Sequence, residues 1–237
     1  MKNKIDFRCE AKDNKIYLYG SVVDNDSWMW DDNDKENYIY PKAVRKLVDD
    51  VKGDEVELHI NSYGGSVFAG VSIYNTLKNC GKKVTAHIDG VCASAATFIL
   101  MAADKILMPE NTQLLVHRAS SYGWGNCKSL RAVADDLEHL DHTTLLPTYK
   151  ARFTGSEEQL LELLDKEEWL DANKAKEYGF VDEVIKLDEP KDEPKDKPKD
   201  EPKDEPEKVE NIGKRLVAFA NAFKNFKEKG ELNNEEI

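Results

Sequence analysis

The chain has 237 residues, of which 40% are hydrophobic and 34% are charged, and its 34 basic and 46 acidic side chains leave a net charge of −12. That length fits one large domain or two small ones, and the acidity argues against nucleic-acid binding, because contacts with phosphates need a basic surface. A membrane-spanning helix is also not expected, since a third of all side chains are charged and the longest uncharged stretch, residues 58–77, contains many polar side chains.

The apolar patterning predicts a single α/β domain over residues 1–187, in which strands and helices alternate. The strands are predicted at residues 15–22, 55–60, 83–89, 105–108, 113–116 and 181–185. The helices are predicted at residues 41–51, 67–79, 94–102, 130–153, 156–164 and 173–178. The alternation favours parallel strands, and Pro147 is expected to kink the long helix.

The composition changes abruptly after this domain. Residues 188–208 contain a degenerate repeat of the type Asp-Glu-Pro-Lys with no apolar side chain other than proline, which predicts a disordered, semi-stiff linker. Residues 209–229 place apolar side chains at intervals of three and four, three of them phenylalanines, which predicts an amphipathic helix. Such a helix suits docking or a scaffold role, and residues 230–237 are expected to form a disordered tail.

The termini and the cysteines bear on location. The first residues contain no apolar run after their lysines, so no signal peptide is expected. The four cysteines are scattered and form no Cys-x-x-Cys motif or Cys/His cluster, so neither a zinc site nor a disulfide framework is predicted. A reducing, cytoplasmic setting fits best.

Two glycine-containing segments follow predicted strands and open predicted helices. Residues 61–66 read Asn-Ser-Tyr-Gly-Gly-Ser, and paired glycines at a strand-to-helix turn allow close approach of the backbone to a ligand. Residues 90–97 place Ser94 among small side chains at a helix start, where Ala95 N–H suits an oxyanion. The alternatives are a tight turn with Ser66 as N-cap, and Ser94 as an ordinary N-cap.

A histidine and a group of acids complete the candidate chemistry. His117 ends an apolar strand beside a polar loop, where it can act as a general base. His59 and His87 are expected to pack within strands, and His139 and His142 to be exposed on the long helix. Residues 164–171 carry four acids, and their spacing alone does not select the one that would orient a histidine. Asp171 is set aside as the N-cap of the next helix.

Taken together in this order, the four segments resemble the ClpP family of serine peptidases, from about residue 15 to residue 185. In that family a turn of the form Asn-Ser-Pro-Gly-Gly-Ser resembles residues 61–66, and the nucleophile motif resembles Ala93-Ser94-Ala95. The base motif resembles Val116-His117, and the long helix resembles the family's handle helix. The block Ala-Lys-Glu-Tyr-Gly-Phe-Val-Asp-Glu-Val, at residues 175–184, resembles the family's last motif.

The resemblance implies an α/β ClpP/crotonase-like superfold of repeated ββα units. It implies Ser94 as nucleophile, His117 as base and Glu167 as the acid, with Asp165 and Glu168 as alternatives. The N–H groups of Gly65 and Ala95 would form the oxyanion hole. No cofactor or metal is implied, and the implied partners are further copies of the chain in a ring, which in this family is commonly two stacked heptamers, and an AAA+ unfoldase.

The departures from the family pattern point to one branch. Tyr63 replaces a proline, and Arg118-Ala119 replace Gln/Asn-Pro. The segment at residues 119–126 and the Glu-x-Trp-Leu form of the acid block resemble phage head-maturation proteases, a ClpP-like branch that would cut capsid or scaffold proteins. The alternatives are a degradative Clp subunit, a CoA-thioester enzyme of the same superfold and a non-catalytic shell protein. Neither nucleic acid nor a membrane is an expected partner.

Overall fold

A computed structural model of the chain describes residues 9–12, 14–27 and 37–187. The strands in these ranges are β1 (Cys9–Lys12), β2 (Lys15–Val22), β3 (Tyr38–Ile39), β4 (Glu55–Gly65), β5 (Lys83–Ala93), β6 (Lys105–Pro109), β7 (Gln113–Leu115), β8 (Trp169–Leu170) and β9 (Glu183–Ile185). The helices are α1 (Pro41–Asp50), α2 (Val67–Lys78), α3 (Ala95–Met101), α4 (Cys127–Leu140), α5 (Leu146–Lys150), α6 (Glu157–Lys166) and α7 (Ala172–Glu177). Among the described helices, none has the length and apolarity needed to cross a membrane.

The strands form one sheet in the order β1-β2-β4-β5-β6-β9. The neighbours from β2 to β9 run parallel, as the alternation of strands and helices predicts, and β1 is antiparallel to β2. The first half of β5 pairs with β6, whereas its last three residues pair with β7, which is antiparallel to β8. The sheet therefore divides along β5, and the second half of that strand leads into the candidate site.

The core lies between the sheet and helices α2 and α3. Alternate residues of β4 are fully buried, and all seven residues of α3 are buried. Burying one valine, leucine or isoleucine side chain, as these elements do repeatedly, stabilises a fold by about 1.5–3 kcal/mol. The more exposed face of the sheet carries His59 and His87, whose rings stack with centroids 4.7 Å apart. His139 and His142 are exposed, as the sequence predicts.

The observed elements correct several predicted boundaries. Residues 61–65 continue strand β4, so the prediction of a turn there is wrong for all but Ser66, which caps α2 by accepting a hydrogen bond from Ala69 N–H. The helix predicted at residues 94–102 begins at Ala95, because Ser94 has a non-helical backbone. The linker and the helix predicted for residues 188–229 lie outside the described residues.

The long helix predicted at residues 130–153 is interrupted rather than simply kinked. It begins at α4, passes through a π-helical turn at Asp141–Leu145, and continues as α5. Within the turn, Leu146 N–H donates to the carbonyl of Asp141. Pro147 has no N–H to extend the regular helical pattern, so the irregularity falls just before it.

Candidate active site

The candidate site lies where the parallel pairing of β2, β4 and β5 becomes irregular. The register shifts after Ile60, so that Ser62 pairs with Cys92. Where the backbone pairing is interrupted, Asn61 Oδ1 accepts a hydrogen bond of 3.1 Å from Val91 N–H. Ser62 Oγ donates to the carbonyl of Gly20 at 2.6 Å and accepts from Gly64 N–H at 3.0 Å. The Asn-Ser pair thus replaces ladder hydrogen bonds that the shift removes.

The two glycines bring the end of β4 against the nucleophile segment. Gly64 has a φ of +91°, and a Cβ atom there would lie 2.6 Å from the carbonyl oxygen of Ala93 and 2.7 Å from Ser94 Cβ. Only glycine permits this backbone conformation and this approach without strain. Gly65 is exposed and lines the same cavity as Ser94.

Ser94 lies between the end of β5 and the start of α3 with a φ of +52° and a ψ of −132°. A residue with a Cβ in this region costs of order 1–3 kcal/mol and persists only where its surroundings enforce it. Its N–H donates to the carbonyl of Leu115 at 3.0 Å, and its carbonyl accepts from Thr97 N–H at 2.8 Å and from Thr97 Oγ at 2.6 Å. The side chain caps no helix N–H, so the alternative of an ordinary N-cap is wrong.

The hydrogen bond between Ser94 and Leu115 also brings the base close, because His117 follows Leu115 by two residues. The side chains of Ser94 and His117 line one small cavity of about 40 Å³, together with Gly65 and Ala95. The imidazole is 18% exposed. No hydrogen bond joins Ser94 Oγ to His117 among the contacts of these described residues. Catalytic contacts are often loose in a structure without substrate.

The three candidate acids differ in what they face. Glu167, in the left-handed conformation at the end of α6, places Oε1 3.9 Å from His117 Nδ1. Asp165 instead binds the guanidinium of Arg118, and Glu168 lies 2.9 Å from Lys174 Nζ. The structure therefore brings Glu167 towards the histidine and pairs the other two acids elsewhere. Asp171 caps α7, as the sequence predicts.

An ionic network that the sequence did not reveal supports the loop after His117. Asp141, which is 3% exposed in the π-helical turn, accepts from Ala119 N–H at 2.8 Å and from Arg118 Nη1 at 3.3 Å. Arg118 also binds Asp165 through two nitrogen atoms, and this hydrogen bonding lowers the pKa of Asp165. The network joins the loop to the end of the helix that carries Glu167. The only sequence feature that pointed to this network is the replacement of the family's Gln/Asn-Pro by Arg118-Ala119.

A buried hydrogen bond between Thr97 and Tyr149 supports the backbone of Ser94. Thr97 Oγ, which donates to the carbonyl of Ser94, also lies 2.7 Å from the hydroxyl of Tyr149. Burial raises the pKa of Tyr149 above its ordinary value, so the hydroxyl stays protonated. The long helix region therefore contacts the nucleophile turn through a neutral hydrogen bond.

Comparison with known proteins assigns the family. Residues 34–188 match the family model described as Clp protease. ATP-dependent Clp protease proteolytic subunit 1 of Corynebacterium jeikeium is 33% identical over 175 residues, which cover 72% of this chain and 87% of that protein. The subunits 1 of Streptomyces avermitilis and Streptomyces coelicolor are 31% and 32% identical, covering 73% and 65% of this chain and 76% and 70% of those proteins. The chain therefore belongs to the Clp protease family, and it is a serine-type endopeptidase.

Proposed function

We propose that the chain hydrolyses peptide bonds with Ser94 as nucleophile, His117 as general base and Glu167 as the acid that orients the base. The strained backbone of Ser94 carries this proposal, because strain of this kind is retained at functional sites. The shared cavity of Ser94 and His117 and the approach of Glu167 to Nδ1 support the same assignment. The residue types and their order match the resemblance to ClpP peptidases.

The chemistry follows from the orientation of the imidazole. With Nδ1 towards Glu167, the Nδ1 proton points to the carboxylate, and Nε2 is left to accept the proton of Ser94 Oγ. The alkoxide attacks the peptide carbonyl, and the N–H groups of Gly65 and Ala95 hold the oxyanion that forms. His117 then gives the proton to the leaving amine, and water releases the acyl group by the same steps in reverse order.

The catalytic assignment is tested by labelling with a fluorophosphonate probe, followed by peptide mapping. We expect one adduct on Ser94, which is absent from Ser94→Ala and strongly reduced in His117→Ala. Ser72→Ala is the matched control, since this serine is exposed on α2, and it should label like the wild type. An adduct on another serine, or full labelling of His117→Ala, would contradict the proposal.

The same method separates the acids. Glu167→Gln should slow acylation strongly, because the imidazolium that forms would lose its counter-charge. Glu168→Gln should leave the rate near that of the wild type, since Glu168 is paired with Lys174. Equal rates for the two variants would remove Glu167 from the triad.

For the biological setting we propose cleavage of capsid or scaffold proteins in phage head maturation, within a ring of identical subunits. The form of the acid block, Glu167-x-Trp169-Leu170, and the charged extension after residue 187 support this setting. In this proposal residues 1–187 are the peptidase domain, 188–208 a spacer and 209–229 a docking or scaffold helix. The second candidate is a degradative subunit that works with an AAA+ unfoldase, and the names of the relatives favour it.

Two substrates distinguish these settings. Head maturation predicts cleavage of a co-expressed capsid or scaffold protein without ATP, and loss of that cleavage in Ser94→Ala. The degradative role predicts ATP-dependent turnover of a folded substrate when an unfoldase is added, and no cleavage of the capsid protein. Sedimentation of the full chain measures the ring size in both cases.

A further inference from the structure

A second cluster of ligand-type side chains lies on the more exposed face of the sheet, outside the candidate active site. Glu57 and His59 are on β4, and His87 is the register partner of His59 on β5. One side-chain donor atom from each residue lies within 4.8 Å of the other two. The proposed peptidase chemistry uses none of the three residues.

The hydrogen bonds of His59 fix which nitrogen is free. His59 Nδ1 lies 2.9 Å from Asp89 Oδ2, and a carboxylate only accepts, so Nδ1 carries the proton. The lone pair of the neutral ring is then on Nε2. That atom is buried and has no hydrogen-bond partner, although it lies 3.8 Å from Glu57 Oε2. Buried polar atoms without partners are rare in folded proteins, and a bound ion or water is one of their common explanations.

The geometry points to a binding site for a zinc ion. Its ligands would be a carboxylate oxygen of Glu57, Nε2 of His59 and a ring nitrogen of His87, with water in the fourth position. Two imidazoles and a carboxylate are typical zinc ligands, and a carboxylate on the far nitrogen of a ligating histidine, here Asp89, is a typical supporting contact. Tetrahedral ligands at about 2.1 Å from zinc lie roughly 3.4 Å apart. The donor atoms must therefore approach one another by up to roughly 1.4 Å. Because the rings of His59 and His87 are stacked at an interplanar angle of 8°, the ring of His87 must also turn to direct its lone pair at the ion.

One neighbour competes with the ion. Lys15 Nζ lies 2.6 Å from Glu57 Oε2, and both side chains are more than 40% exposed. Zinc binding requires Lys15 to release this carboxylate and turn into solvent. Removing the lysine charge should therefore tighten zinc binding, which is the opposite of the effect of removing a ligand.

The position of the site gives the ion a structural role. It would join β4 to β5, and these strands run on to Gly65 and to the residue before Ser94. An ion bound across them would hold together the two strands whose ends form the candidate active site. Sequence spacing does not reveal the site, because the ligands on the two strands are at least 28 residues apart and meet only through the parallel register.

Calorimetric titration of the metal-free full chain with Zn²⁺ tests the proposal, with the visible spectrum of bound Co²⁺ as a second readout. We expect one ion per chain, and a loss of affinity of at least tenfold in His59→Ala, His87→Ala and Glu57→Gln. Lys15→Gln should bind more tightly than the wild type. Because the Glu57 side chain is partly exposed, Glu57→Gln should fold even if a histidine variant does not, and its affinity for Zn²⁺ then decides the test.

Two histidines outside the cluster serve as controls. His142→Ala, at an exposed position, and His117→Ala, in the candidate active site, should bind Zn²⁺ as the wild type does. Zinc should also raise the melting temperature of the wild type but not that of His59→Ala. Undetectable binding, unchanged affinity in the cluster variants, or loss of binding in His117→Ala would overturn the assignment.

Discussion

Replacing Asp141 by asparagine tests whether the ionic network positions the base. The substitution keeps the shape of the side chain and an oxygen for Ala119 N–H, but it removes the charge that faces Arg118. A hydrogen bond to a charged group contributes about 1.5–3 kcal/mol and a neutral one about 0.5–1.5. With two such bonds weakened, we expect a loss of about 2 kcal/mol, or roughly 4–8 °C in melting temperature for a domain of this size.

The same change should slow the chemistry, because the loop held by Asp141 begins next to His117. A displacement of about 1 Å at a catalytic group can cost about 10²-fold in rate. We therefore expect the rate of fluorophosphonate acylation and kcat to fall by roughly 10- to 100-fold, with KM little changed. Asp135→Asn is the matched control, since Asp135 is exposed on α4. A variant that melts lower yet acylates at the wild-type rate would refute the positioning role.

Two further predictions concern the backbone at Gly64 and the loss of stability at low pH. Gly64→Ala should abolish labelling of Ser94 and lower the melting temperature, because its Cβ would meet the nucleophile segment, whereas Gly81→Ala has open space and should label normally. The pKa of Asp165 is lowered by Arg118, so its contribution to stability is present above about pH 4 and is lost as the pH falls through the lowered value. The difference in melting temperature between wild type and Asp165→Asn should therefore be full at pH 7 and shrink as the pH falls below about 4, and a constant difference would contradict this reasoning.

The starts of most elements could be predicted from the sequence because they depend on local chemistry. Ser66 and Asp171 cap helices where their side chains predict it, and the alternating residues of β4 give its first six positions. The last five residues of β4 could not be predicted in this way. Their pairing depends on register shifts against two neighbouring strands, and the glycines there carry no apolar alternation.

In the candidate site, too, features set by the local sequence could be predicted, and features set by contacts between distant segments could not. The residue types and positions of Ser94 and His117 made them candidates from the sequence, and the family resemblance selected Glu167 as the candidate acid. The role of Asp141 could not be predicted, because it depends on a contact across 22 residues with the backbone of Ala119. The π-helical turn that carries Asp141 was also missed, since a helical pattern in the sequence does not distinguish the two kinds of turn.

The strain at Ser94 predicts an unusual order of stability between two variants at this position. Ser94→Ala keeps a Cβ in a conformation that costs of order 1–3 kcal/mol, whereas Ser94→Gly relieves it. At an ordinary position glycine is less stable than alanine by about 0.5–1 kcal/mol, because the unfolded chain gains freedom. The two effects oppose each other, so we expect Ser94→Gly to be at least as stable as Ser94→Ala in chemical denaturation. If the glycine variant were less stable by the ordinary amount, the backbone of Ser94 would carry no strain, and the main support for its role as nucleophile would be lost.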